Sequence, residues 1–313
     1  MVTLKELAAK EDLFVAGHRL CPGCGIPVIL KIVLRASKYP VVISNATGCL
    51  AVASSNFPRT SWKLNWIHNS YGNASAVMAG IESMYKSLKK QGRVSNSRNI
   101  KFLVVGGDGA TYDSGLGGLS GAIERGHDFV YLCLNNQGQA CTGGQRSSAS
   151  PMGMATTTTP PGKVFPGKMQ LAKDISGIVA AHGISYAAQA APWNWQDLYK
   201  KAKKAFDCPG PSFLNVLTPC PTGWQSFPEK SIELTKLATD TCSWPIYEVV
   251  NGNEVTVNYT PPKKIPVHDW FGFQGRFKHL LKAENKWILE QVQGEIEKNW
   301  EHLISQNFKG KLN

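Results

Sequence analysis

The sequence contains no run of 18 uninterrupted apolar residues, the least that a bilayer-crossing helix needs. Its opening stretch, MVTLKELAAKEDLF, has neither the basic start nor the continuous apolar segment of a secretory signal. A cytoplasmic protein without a membrane partner is therefore expected. No internal repeat is evident, which sets aside a stacked-repeat architecture. Acidic residues are scarce, with 22 Asp and Glu against 34 Lys and Arg, and the resulting charge of +12 calls for solvated helix faces, an acidic partner or an anionic ligand. The basic residues form no single block: Lys86, Lys89, Lys90, Arg93 and Arg98 lie in one stretch, Lys200, Lys201, Lys203 and Lys204 in another, and Lys263 and Lys264 in a third. Such scatter reads first as helix faces in water. No nucleic-acid-binding motif accompanies it, so no nucleic acid partner is expected.

What is present is chemistry-bearing. Eight cysteines in a chain expected to be cytoplasmic point to metal or redox chemistry rather than a disulfide framework. Among 313 residues there is room for one large domain and an appendage. Pro27 to Ser37 reads as a helix after the loop Gly17 to Gly25, and Val41 to Ser44 as a strand. Val77, Ile81, Met84, Tyr85 and Leu88 recur at helical spacing between Asn73, a candidate N-cap, and Gly92. Lys101 to Val105, Phe129 to Leu134 and Ser212 to Leu217 read as strands buried on both faces. Alternation of this kind predicts an α/β fold, a doubly wound parallel sheet with ligands at the carboxyl ends of its strands. Ser147 to Lys168 has no apolar period and reads as a functional cover. Beyond about Trp244 come a hairpin, Tyr247 to Tyr259, and a helical tail with a stripe of Trp287, Ile288, Val292, Ile296, Trp300 and Leu303. The expected division is 1–245 and 246–313, and the tail's stripe suits either a partner subunit or its own domain.

The most specific pattern opens with Gly107-Asp108-Gly109 and closes, twenty-five residues on, with Asn135-Asn136. Each end follows a strand, so both emerge on one edge of the sheet. Glycines let backbone N–H groups approach phosphate oxygens, Asp108 and Asn136 offer hard oxygen ligands to a magnesium ion, and the Gly138 carbonyl is placed to add a third.

Cysteines recur at strand ends as well. Cys21 and Cys24 share one loop, Cys49 follows the first strand, and Cys220 follows Ser212 to Leu217. By count, four thiolates fit a tetrahedral zinc or a cubane iron-sulfur cluster equally, and spacing alone leans to zinc. Cys133 reads as a core residue. Cys141 reads as a packing thiol or a substrate-side contact.

The Gly-Asp-Gly…Asn-Asn interval resembles the thiamine-diphosphate motif. Together with Thr142-Gly143-Gly144-Gln145, and with the Gly17-His18-Arg19-Leu20-Cys21-Pro22-Gly23-Cys24-Gly25, Ala46-Thr47-Gly48-Cys49 and Cys220-Pro221-Thr222-Gly223-Trp224 segments, it is similar to the β subunits of the 2-oxoacid:ferredoxin oxidoreductases. The resemblance runs from about Gly17 to Trp224. It implies thiamine diphosphate, Mg2+ and a 4Fe-4S cluster as cofactors. The implied cofactor-binding set is Thr47, Gly48, Gly107, Asp108, Gly109, Ala110, Asn136, Gly138 and Thr142. Cys21, Cys24, Cys49 and Cys220 are the implied cluster ligands. It further implies an α subunit supplying the glutamate that activates thiamine, a ferredoxin-like cluster subunit, and ferredoxin as electron acceptor, because the sequence holds one diphosphate-type domain and no duplicate. On this chain the candidates for direct catalytic contact are Cys141, Asn73 and His68, with His68 read first as structural.

Within the family the whole sequence resembles the oxalate-cleaving branch, which implies oxalate split to carbon dioxide without coenzyme A. The alternative is the pyruvate branch, turning pyruvate and coenzyme A into acetyl-CoA; a non-redox thiamine enzyme with structural zinc stands further off. Pyruvate members commonly have Asn where this chain has Cys141, and relatives often read Phe-Glu-Asn where it has Tyr71-Gly72-Asn73.

Overall fold

The apolar runs rich in β-branched residues become the middle of one sheet, since each must cover both faces of its strand. The structure is a computed structural model that describes residues 2–95 and 99–309, and Arg98 of the basic stretch lies outside them. Its strands are β1 (Val41–Ala46), β2 (Asn65–Asn69), β3 (Lys101–Gly107), β4 (Val130–Asn135), β5 (Tyr186–Ala190), β6 (Ser212–Leu217), β7 (Ile246–Val250) and β8 (Glu254–Tyr259). They lie in the order β2-β1-β3-β4-β6-β5-β7-β8. The first six are mutually parallel; β7 and β8 join antiparallel at one edge. The expected parallel core is present, and the predicted hairpin extends it.

Two strands escape the sequence pattern. β5 is Tyr-Ala-Ala-Gln-Ala, poor in β-branched residues yet buried throughout, because its place between β6 and β7 rather than intrinsic propensity makes it a strand. β2 is polar and mostly exposed, as an edge strand can be.

Helices Ile26–Leu34 and Trp195–Asp207 cover one face, where Ile29, Leu30, Val33, Leu198 and Ala202 meet Ile43, Leu103, Leu132 and Leu214. Helices Ala74–Lys90, Leu116–Glu124 and Ile175–Ala180 cover the other, with Met78, Leu119, Ile175 and Val179 in a second cluster. The predicted helix at 74–90 is present, and its buried face overlaps the predicted stripe, with Ile81 and Tyr85 packed against the second cluster. Ala74, Ser75, Met78, Ala79 and Glu82 point inward, while Met84 is 59% exposed. Small side chains allow the helix to lie close on the sheet, and Glu82 is accommodated there by His127 and Lys86. Asn73 occupies the N-cap position without a side-chain capping hydrogen bond, so its predicted capping role is corrected.

The stretch 147–168 is irregular and packed at both ends, while Val164 and Phe165 between them are exposed. The buried Lys168 ammonium donates to the carbonyls of Ser150, Gln170 and Leu171 at 2.7, 2.6 and 3.0 Å, and Met152 and Met154 enter a third apolar cluster. From the tail helix Lys286–Lys309, Ile288 and Val292 join that cluster while Trp300 and Leu303 join the second. Trp287 departs from the stripe and is 49% exposed. No described helix is long and apolar enough to cross a membrane.

Candidate functional site

Strand register places the candidate residues together. Asn45 of β1 pairs with Val105 of β3, Gly107 with Leu134 of β4, and Asn135 with Leu217 of β6, so four neighbouring strands end at one level. The segments that leave those ends carry Thr47-Gly48-Cys49, Asp108-Gly109, Asn136 to Gly138, and Cys220. This is the crest at which parallel sheets bind ligands.

Asp108 is 2% exposed and begins the π-type turn Gly109–Ser114. Ser147 of the packed cover donates its hydroxyl to Oδ2, and the backbone N–H of Asn136 also bonds the carboxylate, which brings both halves of the interrupted motif into contact. Burial pushes the Asp108 carboxyl up to about 7, against the hydrogen bonds that favour its ionised form. A buried acid with no cation among its described partners suits a metal ligand.

The two asparagines have different tasks. Asn135 is buried; its Nδ2 donates to the Tyr112 hydroxyl at 2.7 Å and its Oδ1 accepts from the Gln137 N–H at 2.9 Å, so it shapes the loop. Asn136 Oδ1 accepts the Gly138 N–H at 3.2 Å. Gln137 between them has φ 65°, the left-handed turn that reverses the chain. Gly107 leaves open space where a Cβ would stand. At Gly109, by contrast, a Cβ would meet the Tyr71 hydroxyl at 2.0 Å. Glycine at 109 is thus demanded by a protein neighbour. Gly72 has the same character, since a Cβ there would lie 2.6 Å from the Ser114 carbonyl oxygen, so the acidic residue expected from relatives has no room.

Among the direct-contact candidates, His68 is exposed and stacks on Trp66. Thr47 Oγ1 donates to the Asn69 carbonyl at 2.8 Å, so the 2.8 Å contact with His68 Nε2 has the imidazole as donor. His68 therefore orients Thr47. Asn73 is exposed beside Gly72, while Thr142 is exposed and bonds back to Gln139 and Gln145.

The cysteine loops pack directly on one another. Cys24 N–H bonds the Cys21 carbonyl at 3.0 Å, Gly25 N–H the Pro219 carbonyl at 3.0 Å, and the Thr222 hydroxyl reaches Cys21 Sγ at 3.7 Å. Gly23, at φ +74°, lies so close that a Cβ would stand 2.5 Å from the Pro228 carbonyl oxygen. Cys220 Sγ accepts the Gly223 N–H at 3.3 Å. Burial pushes the Cys24 thiol up to about 12 and raises Cys220, with the Gly223 N–H and Arg276 opposing the rise at Cys220. The contact between Cys49 and Cys141 raises the Cys49 thiol, with burial adding to the rise, and lowers the Cys141 thiol. Cys141 thus stands against the cysteine group as well as beside the cofactor loop. Among the described residues no three His, Cys, Asp or Glu side chains close around a single point in metal-binding geometry.

Sequence reasoning missed Ser147, Tyr71, Gln137 and Arg276. Arg276 is 1% exposed and lies between the two halves of the site, with its guanidinium 4.8 Å from the Trp224 ring. No local pattern marks it. Clefts of about 340 Å³ beside Glu82 and Asp128, and of about 590 Å³ beside Leu280 and Leu289, lie away from these residues.

Residues 46–216 match the family model described as the thiamine pyrophosphate enzyme, C-terminal TPP binding domain. The fold and that match define the class: an α/β chain of the thiamine-diphosphate-binding enzymes. Pyruvate synthase subunit PorB of Thermotoga maritima is 43% identical over 312 residues, covering 97% of this chain and 96% of that protein. PorB of Methanocaldococcus jannaschii is 41% identical over 283 residues, covering 90% and 95%. Ketoisovalerate oxidoreductase subunit VorB of Pyrococcus horikoshii is 38% identical over 299 residues, covering 94% and 93%. A solved 2-oxoglutarate:ferredoxin oxidoreductase from Magnetococcus marinus shares the fold at TM-score 0.55 and 18% identity, covering 87% of this chain and 92% of that one. This chain belongs to the β-subunit family of the 2-oxoacid:ferredoxin oxidoreductases, and its class of activity is oxidoreductase. These relatives bear pyruvate and ketoisovalerate in their names, so they support the pyruvate alternative better than the oxalate reading.

Proposed function

We propose that this chain is the β subunit of a pyruvate:ferredoxin oxidoreductase, holding magnesium and thiamine diphosphate at the crest of β3 and β4 and a 4Fe-4S cluster beside it. The observation that carries the reading is the buried Asp108, bonded to Asn136 and standing among loops that also bring Cys21, Cys24, Cys49 and Cys220 together. The full-length likeness to pyruvate synthase subunits supports the substrate.

When bound, thiamine diphosphate supplies the electron sink for decarboxylation of a 2-oxo acid, and the cluster supplies one-electron transfer. The residues of this chain bind and orient. Asp108, Asn136 and the backbone at Gly138 would hold the ion, Gly107 leaves open space for phosphate to approach the backbone, and Ser147 closes the cover over Asp108. Thr47, Gly48, Ala110 and Thr142 complete the cofactor-binding set. The four cysteines match in type and number the thiolate set that a cubane takes. An α subunit supplies the activating glutamate, a ferredoxin-like subunit relays electrons to ferredoxin, and all work in the cytoplasm. Residues 1–245 carry the cofactors, and the outer face of 246–313, including Trp287, meets a neighbouring subunit.

Oxalate is the second reading, favoured by Cys141, where pyruvate members commonly have Asn, and by Gly72, where relatives often have an acidic residue. The deciding experiment is viologen reduction by the anaerobically purified complex, with pyruvate, 2-oxoglutarate, 2-oxobutyrate, glyoxylate and oxalate, each with and without coenzyme A. Pyruvate turnover that needs coenzyme A is expected. Oxalate turnover without it would replace pyruvate in the proposal, and a colourless complex containing zinc but no iron would remove the redox function.

A further inference from the structure

Arg276 is a fully buried cation with no ion-pair partner among the described residues. Its Nε and Nη2 donate to Gln274 Oε1 at 2.9 and 2.6 Å, Nη2 also donates to Gln137 Oε1 at 2.6 Å, and Nη1 reaches Met154 Sδ at 3.6 Å. The guanidinium lies over the Trp224 and Phe277 rings, 4.8 and 4.9 Å from their centroids. Every one of these contacts is neutral. A buried charge served only by neutral acceptors is poorly compensated unless an anion stands nearby.

The anionic groups whose charges act on Arg276 are Cys220 and Asp108. Neither forms an ion pair with the guanidinium, whose nitrogens meet only neutral acceptors. A cubane held by four thiolates, however, carries net negative charge that grows by one on reduction. Placement agrees with that balance. Gln137 sits between Asn136 and Gly138 in the metal loop, the Trp224 indole N–H donates to the Asn136 carbonyl at 2.8 Å, and Gly275 N–H donates to the Gln225 carbonyl at 3.1 Å. One side chain therefore spans the metal loop and the loop of Cys220.

We propose that Arg276 is a positioning residue for electron transfer, a buried countercharge that favours the reduced cluster and ties the cluster loop to the cofactor loop. This rests on the cluster reading above. A fixed cation in a poorly screened interior lowers the energy of the more negative, reduced state and so raises the midpoint potential. Arginine suits the place because a planar fork can serve two amide acceptors while stacking on Trp224.

The test is an EPR-monitored redox titration of the purified complex, following the cluster signal that disappears in Cys220→Ala. Arg276→Met should shift the reduction equilibrium at least tenfold toward the oxidised form, about 59 mV for one electron. Arg276→Lys should keep most of the wild-type potential. Gln274→Glu, equal in shape, sets a carboxylate on the guanidinium and should also lower the potential; it decides the matter if Arg276→Met does not fold. An unmoved potential in both Arg276→Met and Gln274→Glu overturns the proposal, as does an equal fall in Arg276→Met and Arg276→Lys. A wild-type complex without iron overturns the cluster reading and this proposal with it, whereas iron with an unmoved potential overturns this proposal alone.

Discussion

Asp108 is sealed by Ser147 and the Asn136 N–H, so its carboxylate has work to do only when a cation arrives. Asp108→Asn keeps the shape and the Ser147 contact but removes the charge. Thiamine diphosphate retention in the purified complex should fall at least tenfold, while the unliganded chain melts no lower than wild type, because a buried amide is easier to accommodate than a buried carboxylate. Retained cofactor in that variant would move the metal site elsewhere. Cys220→Ala should strip iron, read by metal analysis, with thiamine diphosphate still bound. Asp108, Asn136, Cys49 and Cys220 stand out in the sequence because each sits in a short motif just past a strand, and Cys21 and Cys24 because they share one short loop motif. Ser147 and Arg276 do not, since one hydroxyl in a Thr-rich stretch and one arginine in a cationic tail look like any other until the chain folds.

At the level of elements, Glu248 shows how the antiparallel edge is tied to the parallel core. From β7 it accepts from the Tyr186 hydroxyl of β5 at 2.6 Å, from Lys204 of the helix Trp195–Asp207 at 2.7 Å, and from Asn258 of β8 at 3.4 Å. Burial alone would raise its pKa, but the hydrogen bonds from Lys204 and Tyr186 outweigh that and hold it below the ordinary carboxylate value of 4.5. A depressed acid contributes stability that is present above the unfolded pKa and lost as pH falls through the folded one. Thermal melts should therefore show wild type losing stability below about pH 4.5 more steeply than Glu248→Gln. Parallel acid-side slopes would sink this account. Helices and strands themselves were readable where the apolar period was strong, as in β3, β4 and β6. In helix Ala74–Lys90 the sequence marked Ile81 and Tyr85 but not Ala74, Ala79 and Glu82, which close packing on the sheet also buries.

For the whole molecule, the C-terminal segment is built into the core. Trp300 and Leu303 share a cluster with Met78, Leu119 and Tyr131, and β7 pairs along β5. Trp300→Ala should cost about 3–5 kcal/mol and lower the midpoint of one cooperative denaturant transition monitored by far-UV circular dichroism. A separate early transition with an unchanged main one would make the tail an independent arm. Sequence alone determined the class of fold and the thiamine-diphosphate family, and singled out candidate oxygen and sulfur donors in short motifs, because strand periodicity and short motifs are local properties of the chain. Tertiary structure decided that Asn136 meets Asp108, that Cys141 stands against Cys49, that a Cβ at Gly72 or Gly109 would collide with a neighbour, and that Arg276 stands between the two halves of the site. Those are relations between segments far apart in sequence, set by sheet register and close packing, and no local pattern encodes them.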